Sequence, residues 1–203
     1  MARYTGPRLR VVRRFQQQLP GLTRKTDGVR SNPPGQHGAR RGRASDYRLR
    51  LDEKQKLIYN YGIGERQLRN YFKAAASRKG DTGKNLLTLL ESRLDNVVFR
   101  LGFAPTIPAA RQVVKHGHVT VNGRRVDIPS YQLRPGDVIG ISENSRKHPV
   151  IVETLQSPSL SLPDYLDLNA GEMTGTFRHQ PERTDVPLEV AENFVVEYYS
   201  RVS

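Results

Sequence analysis

The stretch that decides the fold is residues 93–141, RLDNVVFRLGFAPTIPAARQVVKHGHVTVNGRRVDIPSYQLRPGDVIGI. Its first half predicts two short helices, because apolar residues recur at the i, i+3, i+4, i+7 spacing of one helix face. Pro108 is well placed to begin the second helix and Gly117 to end it. After Gly117 the apolar period changes from 3.6 to 2, and Asn122-Gly123 is typical of a β-hairpin turn. The stretch therefore predicts a module of two helices and a short, mostly antiparallel sheet.

Several basic or titratable side chains of this module fall outside its predicted core. Two interpretations fit them equally well: a surface that binds a polyanion, or the ordinary solvated face of a small α+β domain. The candidates are Arg111, Lys115, His118, Arg124 and Arg125.

Charge is distributed unevenly along the 203 residues, whose formal net charge is +13. Residues 1–50 hold 13 Lys and Arg against 2 acidic residues, whereas residues 151–203 hold 3 against 9. Such a basic body favours an anionic partner such as nucleic acid. Cysteine is absent, which excludes disulfides and thiolate zinc sites. No apolar stretch approaches the roughly 18 residues of a membrane helix, so we expect no membrane partner.

Residues 1–45 form a basic segment with too few apolar residues to fold alone. A disordered linker and an arm that becomes ordered on an RNA backbone are the two interpretations. The almost one-signed charge favours the arm, since arginines bind phosphate in pairs of hydrogen bonds. The candidate RNA-binding residues here are Arg8, Arg10, Arg13, Arg14, Arg24, Lys25, Arg40, Arg41 and Arg43.

Three helices are predicted next, over residues 46–61, 65–78 and about 83–92. The second helix carries a basic stripe at i, i+3, i+7, which indicates either a solvated face or an anion-binding one. A stripe of one sign favours binding, because soluble helices tend to interleave charges. The candidates are Arg48, Arg50 and Lys54 on the first helix and Arg66, Arg69 and Lys73 on the second.

The last quarter of the chain is acidic, and it is predicted to contain strands, a loop and a helix. Residues 150–152 and 175–179 predict short strands, and 157–169 a loop and a short strand. Residues 188–200 predict an amphipathic helix with Phe194 on its apolar face, although its aromatic density would also suit a strand. We expect this helix to pack on the early helices.

The sequence contains only incomplete versions of known enzyme motifs. The Gly-x-Gly at 62–64 lacks a third glycine and a preceding strand, and the Gly-Lys at 83–84 lacks the rest of a phosphate-binding loop. No triad or carboxylate pair stands out, so we expect no enzyme, no cofactor and no small-molecule substrate. His116 and His118 have no third ligand near them in sequence, so we also expect no metal. Phe and Tyr show no run typical of single-strand binding, which favours folded RNA, with duplex DNA as the rival.

At 110–139 the run ARQVVKHGHVTVNGRRVDIPSYQLRPGDVI resembles the S-four RNA-binding module. Further blocks in order resemble the S-four family of small-subunit ribosomal proteins, of bacterial or plastid type, over nearly the whole chain. These blocks are LPGLTRK (19–25), PPGQHGARRGR (33–43), EKQKLIYNYGIGERQLRNYFKAA (53–75), RLDNVVFRLGFAPTIPAARQ (93–112) and VVEYYSR (195–201).

The resemblance implies a structural component of the small ribosomal subunit that binds its ribosomal RNA at a multi-helix junction. It implies a role in nucleating assembly and in translational accuracy, beside the third and fifth small-subunit proteins and the channel through which messenger RNA enters. The expected location is the ribosome of the cytoplasm, or of the plastid stroma. Some relatives hold zinc through N-terminal cysteines, which this chain lacks. The resemblance adds to the RNA-binding candidates Arg93, His116, Asn122, Ser130 and Tyr131.

The expected fold class is α+β: a mainly helical N-terminal domain with an inserted α+β module and a basic arm. The boundaries are 1–45 for the arm, 46–91 with 184–203 for the helical domain, and 92–183 for the RNA-binding domain. Two rival functions remain, an RNA-modifying enzyme that uses the module as an accessory and a DNA-binding regulator.

Overall fold

A computed structural model of the chain describes residues 4–25, 32–38 and 45–202. The described residues divide into two units, one within 1–86 and 188–203 and the other within 87–187. Both helices and a sheet are present, which confirms the α+β class. Within the described ranges, none of the helices is both long and apolar enough to cross a membrane.

Unit 1 is helical. It contains α1 (Arg8–Phe15), α2 (Asp46–Tyr61), α3 (Glu65–Ala76) and α8 (Glu192–Val202), and α4 (Thr82–Glu91) contains the boundary with unit 2. The start of α2 is set by Ser45, whose hydroxyl accepts a hydrogen bond from the Arg48 amide. Its end is set by Gly62, which takes the left-handed conformation at φ 59°.

The core of unit 1 joins helices that are far apart in sequence. The helix α8 packs on α2, as the sequence predicted. The Tyr199 ring is buried and lies 4.8 Å from the Phe72 ring, and its hydroxyl donates to Glu65 at 2.9 Å. Burial, followed by the Glu65 carboxylate, raises the pKa of Tyr199 above its ordinary value of 10.0, so it stays a neutral donor. Glu65 thereby links α3 to α8.

The buried face of α8 differs from the predicted one. Val195 and Tyr199 are buried, whereas Phe194 is 36% exposed. Val195 and Tyr199 are four residues apart and so share one side of the helix, and Phe194 lies off that side. The prediction that Phe194 is a core residue is therefore wrong.

Unit 2 combines short helices with one sheet. The helices are α5 (Leu94–Arg100), α6 (Ile107–Lys115) and α7 (Pro149–Gln156), and two 3₁₀ turns span Glu143–Ser145 and Arg183–Asp185. The strands are β1 (Val119–Val121), β2 (Arg124–Arg125), β3 (Val138–Ile141), β4 (Leu166–Asn169) and β5 (Thr174–Phe177). All pairs are antiparallel, in the order β2-β1-β3-β5-β4.

Turn chemistry explains how this sheet is built. Asn122 and Gly123 both have positive φ, at 51° and 77°, as the tight hairpin between β1 and β2 requires. Gly136 has φ 94°, which fits the second central position of a type II turn that follows Pro135. At Gly175 on β5, a Cβ atom would lie 2.4 Å from a Leu101 methyl, so only glycine lets α5's end approach the sheet.

One predicted strand is a helix. Residues 150–152 belong to α7, which begins at Pro149. Three β-branched residues in a row favour a strand, but proline at the first helical position presets the helical φ. Ile151 and Thr154 then form the buried side of α7 at i, i+3 spacing.

Candidate nucleic-acid interface

A basic stripe runs along α3. Leu68 and Ala75 are buried and anchor the helix, which places Arg66, Arg69 and Lys73 at i, i+3, i+7 on the outside. All three are exposed. We call these three residues the α3 stripe. Three exposed cations about one turn apart can contact successive phosphates of one strand.

Other candidates in unit 1 differ in how their charge is used. Arg10, Arg24 and Lys25 are exposed. Arg8 donates to the Leu22 carbonyl at 3.3 Å, and Arg13 to the Asn32 carbonyl at 3.1 Å.

Several arginines of unit 1 pair with carboxylates. Arg14 and Arg48 both contact Asp52, at 3.2 and 3.5 Å, and Arg50 contacts Glu197 at 2.5 Å. Pairs of this kind near the surface are weak and exchange readily with a phosphate. These arginines therefore stay candidates, with less available charge than the α3 stripe.

Lys54 is not on the surface. Its side chain is 3% exposed, and its ammonium lies 2.7 Å from Glu65 and 4.4 Å above the Tyr198 ring. The sequence spacing placed Lys54 among the basic residues outside the core, but the Tyr198 ring of α8 lies over its ammonium group. We therefore exclude Lys54 from the interface.

Arg93 and Arg111 belong to a buried ionic cluster in unit 2. Asp95 is fully buried and accepts two hydrogen bonds from Arg93, at 2.9 and 2.6 Å, and two from Arg111, at 3.2 and 2.8 Å. Arg93 is 1% exposed and Arg111 is 9% exposed. A buried carboxylate needs such partners, and they need it, because each charge alone would be costly in the interior. Both arginines are therefore structural, and we exclude them from the interface.

A second basic surface lies where α6 ends and the hairpin begins. Lys115, His116, Arg124 and Arg125 are exposed there. The Arg125 guanidinium lies across Gly117, where a Cβ atom would be 2.0 Å from its Nε, and donates to the His116 carbonyl at 3.4 Å. The turn therefore holds this arginine close to the end of α6. We call these four residues the hairpin cluster.

His118 lies half-buried beside the hairpin cluster. Its Nδ1 atom is 2.8 Å from the Ser145 hydroxyl. Burial lowers its pKa below the ordinary 6.5, and the positive potentials of His148, His116 and Arg125 lower it further. The lowered pKa favours the neutral ring of His118 at neutral pH.

The remaining module candidates lie around the turns. The Asn122 amide donates to Asp137 at 2.9 Å, and its carbonyl oxygen accepts from the Val138 amide at 2.9 Å, so it fixes the hairpin. The Tyr131 carbonyl accepts a hydrogen bond from the Leu94 amide at 2.9 Å, and the Tyr131 side chain is exposed. Ser130, its neighbour, is half-buried.

Arg40, Arg41 and Arg43 lie outside the described residues. Within the part of the chain that the structure describes, no three His, Asp or Glu side chains are grouped to hold a metal ion.

Sequence reasoning did not single out two residues of a cleft in unit 2. Gln112 and His148 line a cleft of about 190 Å³ together with His116 and His118. Gln112 follows Arg111 in the quoted motif, but a glutamine on a helix is ordinary. His148 comes from a loop 30 residues after His118, and only the tertiary fold brings their rings to 5.5 Å.

Two protein-family models match consecutive parts of the chain. A model described as the ribosomal protein S4/S9 N-terminal domain matches residues 3–91, and one described as the S4 domain matches residues 92–139. Relatives named small ribosomal subunit protein uS4 are 58% identical in Thermosynechococcus vestitus, 55% in Synechococcus elongatus and 54% in Prochlorococcus marinus. Each alignment covers 99% of this chain and 99% of the relative. The chain therefore belongs to the uS4 family of small ribosomal subunit proteins.

Proposed function

We propose that the chain binds the ribosomal RNA of the small subunit through two basic surfaces, the α3 stripe and the hairpin cluster. Members of this family are structural, non-enzymatic components of the small ribosomal subunit. The observation that carries the proposal is that each unit presents exposed basic residues from its helices and turns, whereas Lys54, Arg93 and Arg111 pair with carboxylates inside the fold.

The chemistry of the two surfaces suits folded RNA. Arginine and lysine contact phosphates, which position a protein on a nucleic acid without reading its sequence. RNA helices are recognised mostly through shape, phosphates and 2′-hydroxyls. A surface on each unit suits a site where several RNA helices meet, and we propose a multi-helix junction as the target.

Binding at a multi-helix junction suggests a more specific role in the subunit. A protein that holds several RNA helices at one junction stabilises their arrangement early, so we propose that it nucleates subunit assembly. We further propose that it lies beside the third and fifth small-subunit proteins, near the channel through which messenger RNA enters, and contributes there to translational accuracy. We propose that the ribosome that contains this chain is located in the cytoplasm.

The binding proposal is tested with deproteinised small-subunit ribosomal RNA and the full chain over a series of salt concentrations. If about six phosphates are contacted, affinity falls roughly a thousandfold between about 50 and 200 mM salt. The triple variant Arg66→Ala, Arg69→Ala, Lys73→Ala should bind more weakly and reduce the slope of log affinity against log salt by about 2 to 3.

The matched control is Arg178→Ala, which removes an exposed arginine that pairs with Asp167 outside both surfaces. It should leave the slope unchanged. An affinity for this RNA that does not depend on salt would contradict the proposal. Equal affinity for duplex DNA in competition would instead favour a DNA-binding regulator.

The assembly role is tested by reconstituting small subunits from RNA and purified proteins with this chain omitted or replaced by the triple variant. We expect later proteins to join more slowly and less completely. Normal assembly without this chain would contradict the nucleating role while leaving RNA binding intact.

The accuracy role has its own test. Ribosomes that carry the triple variant or the Arg178→Ala control would be compared for the rate at which they misread a reporter message. Equal rates of misreading would contradict a contribution of this basic surface to accuracy.

A further inference from the structure

The cleft between α6, the start of β1 and α7 combines aromatic rings with an apolar floor. Ala109 and Val113 of α6 and Val150 of α7 supply the apolar surface. Three imidazole rings stand around it, with centroid distances of 6.0 Å from His116 to His118 and 5.5 Å from His118 to His148.

The size of the cleft limits what it can hold. At about 190 Å³ it is smaller than the roughly 300–1,000 Å³ of sites for drug-sized ligands. It therefore suits a single planar ring. None of the side chains that line it, as far as the structure describes the chain, is acidic.

Hydrogen-bonding capacity is available at the rim. The Gln112 side chain is exposed and carries both a donor and an acceptor, which matches the mixed pattern on the edge of a nucleobase. The Nδ1 atom of His148 is buried without a hydrogen-bond partner in the described structure, so this ring has unmet capacity beside the cleft.

The charges around the cleft attract a nucleic acid, yet its interior disfavours a phosphate. Lys115 precedes His116 in the sequence, and Arg125 donates a hydrogen bond to the His116 carbonyl, so both lie beside the cleft. Their positive charges suit the phosphate backbone of a bound RNA strand. The interior has an apolar floor, and His118 is neutral at neutral pH because burial and nearby positive groups lower its pKa. A neutral ring stacks on a base, whereas a phosphate needs a cation.

We propose that this cleft holds one unstacked nucleobase of the small-subunit ribosomal RNA, with the histidine rings against it and the Gln112 amide at its edge. The proposal rests on the proposed RNA-binding function and adds a base-reading element to it. Single-stranded bases in folded RNA are recognised in this way, by stacking on aromatic side chains and hydrogen bonds to base edges. Histidines here take the stacking role that Phe and Tyr residues have in other RNA-binding proteins.

The test compares the unaltered chain with His148→Ala and Gln112→Ala, bound to deproteinised small-subunit ribosomal RNA. Reactivity of base edges toward dimethyl sulfate and carbodiimide is mapped beside cleavage of the backbone by hydroxyl radicals. We expect one unpaired base to be protected by the unaltered chain and to regain reactivity with His148→Ala, while the backbone footprint stays the same.

Affinities give a second readout. His148→Ala should weaken binding by roughly 5- to 100-fold, the range for loss of one stacked base. The salt slope should not change, because no phosphate contact is lost. The matched control is His179→Ala, an exposed histidine of the same unit outside the cleft, with no expected effect.

Thermal melting shows whether each variant is folded. If His148→Ala unfolds, Gln112→Ala decides, because its exposed side chain on α6 can be removed without disturbing the core. It should weaken binding by roughly 2- to 10-fold. Unchanged base reactivity with folded variants, or a salt slope reduced by about 1, would overturn the base site and leave the proposed function standing. Failure of the unaltered chain to bind the RNA would overturn both.

Discussion

Two groups of basic residues in this chain look alike in sequence and do opposite things. Arg66, Arg69 and Lys73 stand exposed along α3, whereas Arg93 and Arg111 enclose a buried Asp95 in the other unit. Both groups were candidates for RNA contact. The two groups differ in whether a buried carboxylate lies beside them. A buried carboxylate pairs with the nearest guanidinium groups, because an unpaired charge in the interior is costly.

Burial and pairing therefore separate the basic residues that are free to bind RNA from those that stabilise the fold. The count of 33 Lys and Arg residues overstates how many are available to a partner, since some of them pair with carboxylates inside the fold. If this holds, substitutions at the buried pairs should lower stability, and substitutions at the exposed basic residues should not.

Replacement of Asp95 by alanine should have the largest effect. It leaves two buried guanidinium groups without their counter-charge, so we expect a loss of about 3 to 5 kcal/mol in the free energy of unfolding. Urea denaturation followed by circular dichroism measures it. The control is Asp167→Ala, whose exposed pair with Arg178 should contribute less than about 1 kcal/mol. Equal losses in the two variants would remove the distinction between buried and exposed pairs.

Gly175→Ala tests the tight packing of unit 2 without changing any charge. The added methyl would lie 2.4 Å from Leu101, so we expect a loss of about 1 to 3 kcal/mol from overpacking. At Gly171 the nearest atom to an added Cβ is 3.5 Å away, an ordinary contact. Gly171→Ala should therefore leave the melting temperature nearly unchanged, and a similar drop in both variants would argue against overpacking as the cause.

The α3 stripe should contribute little to stability. Arg66→Ala, Arg69→Ala and Lys73→Ala should each change the free energy of unfolding by no more than about 0.5 kcal/mol, because their side chains are exposed. The same urea series measures this. A loss comparable to that of Asp95→Ala would show that the stripe is structural and would break the comparison.

The smallest effect concerns pH. The folded-state pKa of His118 lies below its unfolded value near 6.5, so the unfolded state binds the proton more readily. The stability contributed by the neutral ring is complete above about pH 6.5 and is lost as pH falls through the folded-state pKa. His118→Gln should flatten the decline in stability between about pH 7.5 and 5, whereas exposed His179→Gln should not. An identical decline in all three proteins would contradict the prediction.

Local signals explain what could be predicted from the sequence. The hairpin at Asn122-Gly123 and the start of α6 near Pro108 follow from backbone preferences that depend on a few neighbours. The helix α7 was missed because its three β-branched residues outweighed Pro149 in the prediction.

Tertiary partners explain what could not be predicted. Lys54 is buried because α8 supplies Tyr198 above it, and Arg111 is buried because it pairs with Asp95, 16 residues away. Likewise the cleft needs a loop residue, His148, whose approach to His118 no local pattern encodes. The spacing of basic residues thus predicted candidates, and the fold decided which of them remain on the surface.

The contact between α2 and α8 has a consequence for the order of synthesis. Lys54 and Glu65 leave the ribosome more than a hundred residues before their partners on α8, which are Tyr198 and Tyr199 respectively. Unit 2 is complete once residue 187 has emerged, whereas the apolar face of α2 must wait for α8. The inserted unit can therefore fold first, and the earliest helices complete their core last, which makes them the part of the nascent chain most dependent on protection from aggregation.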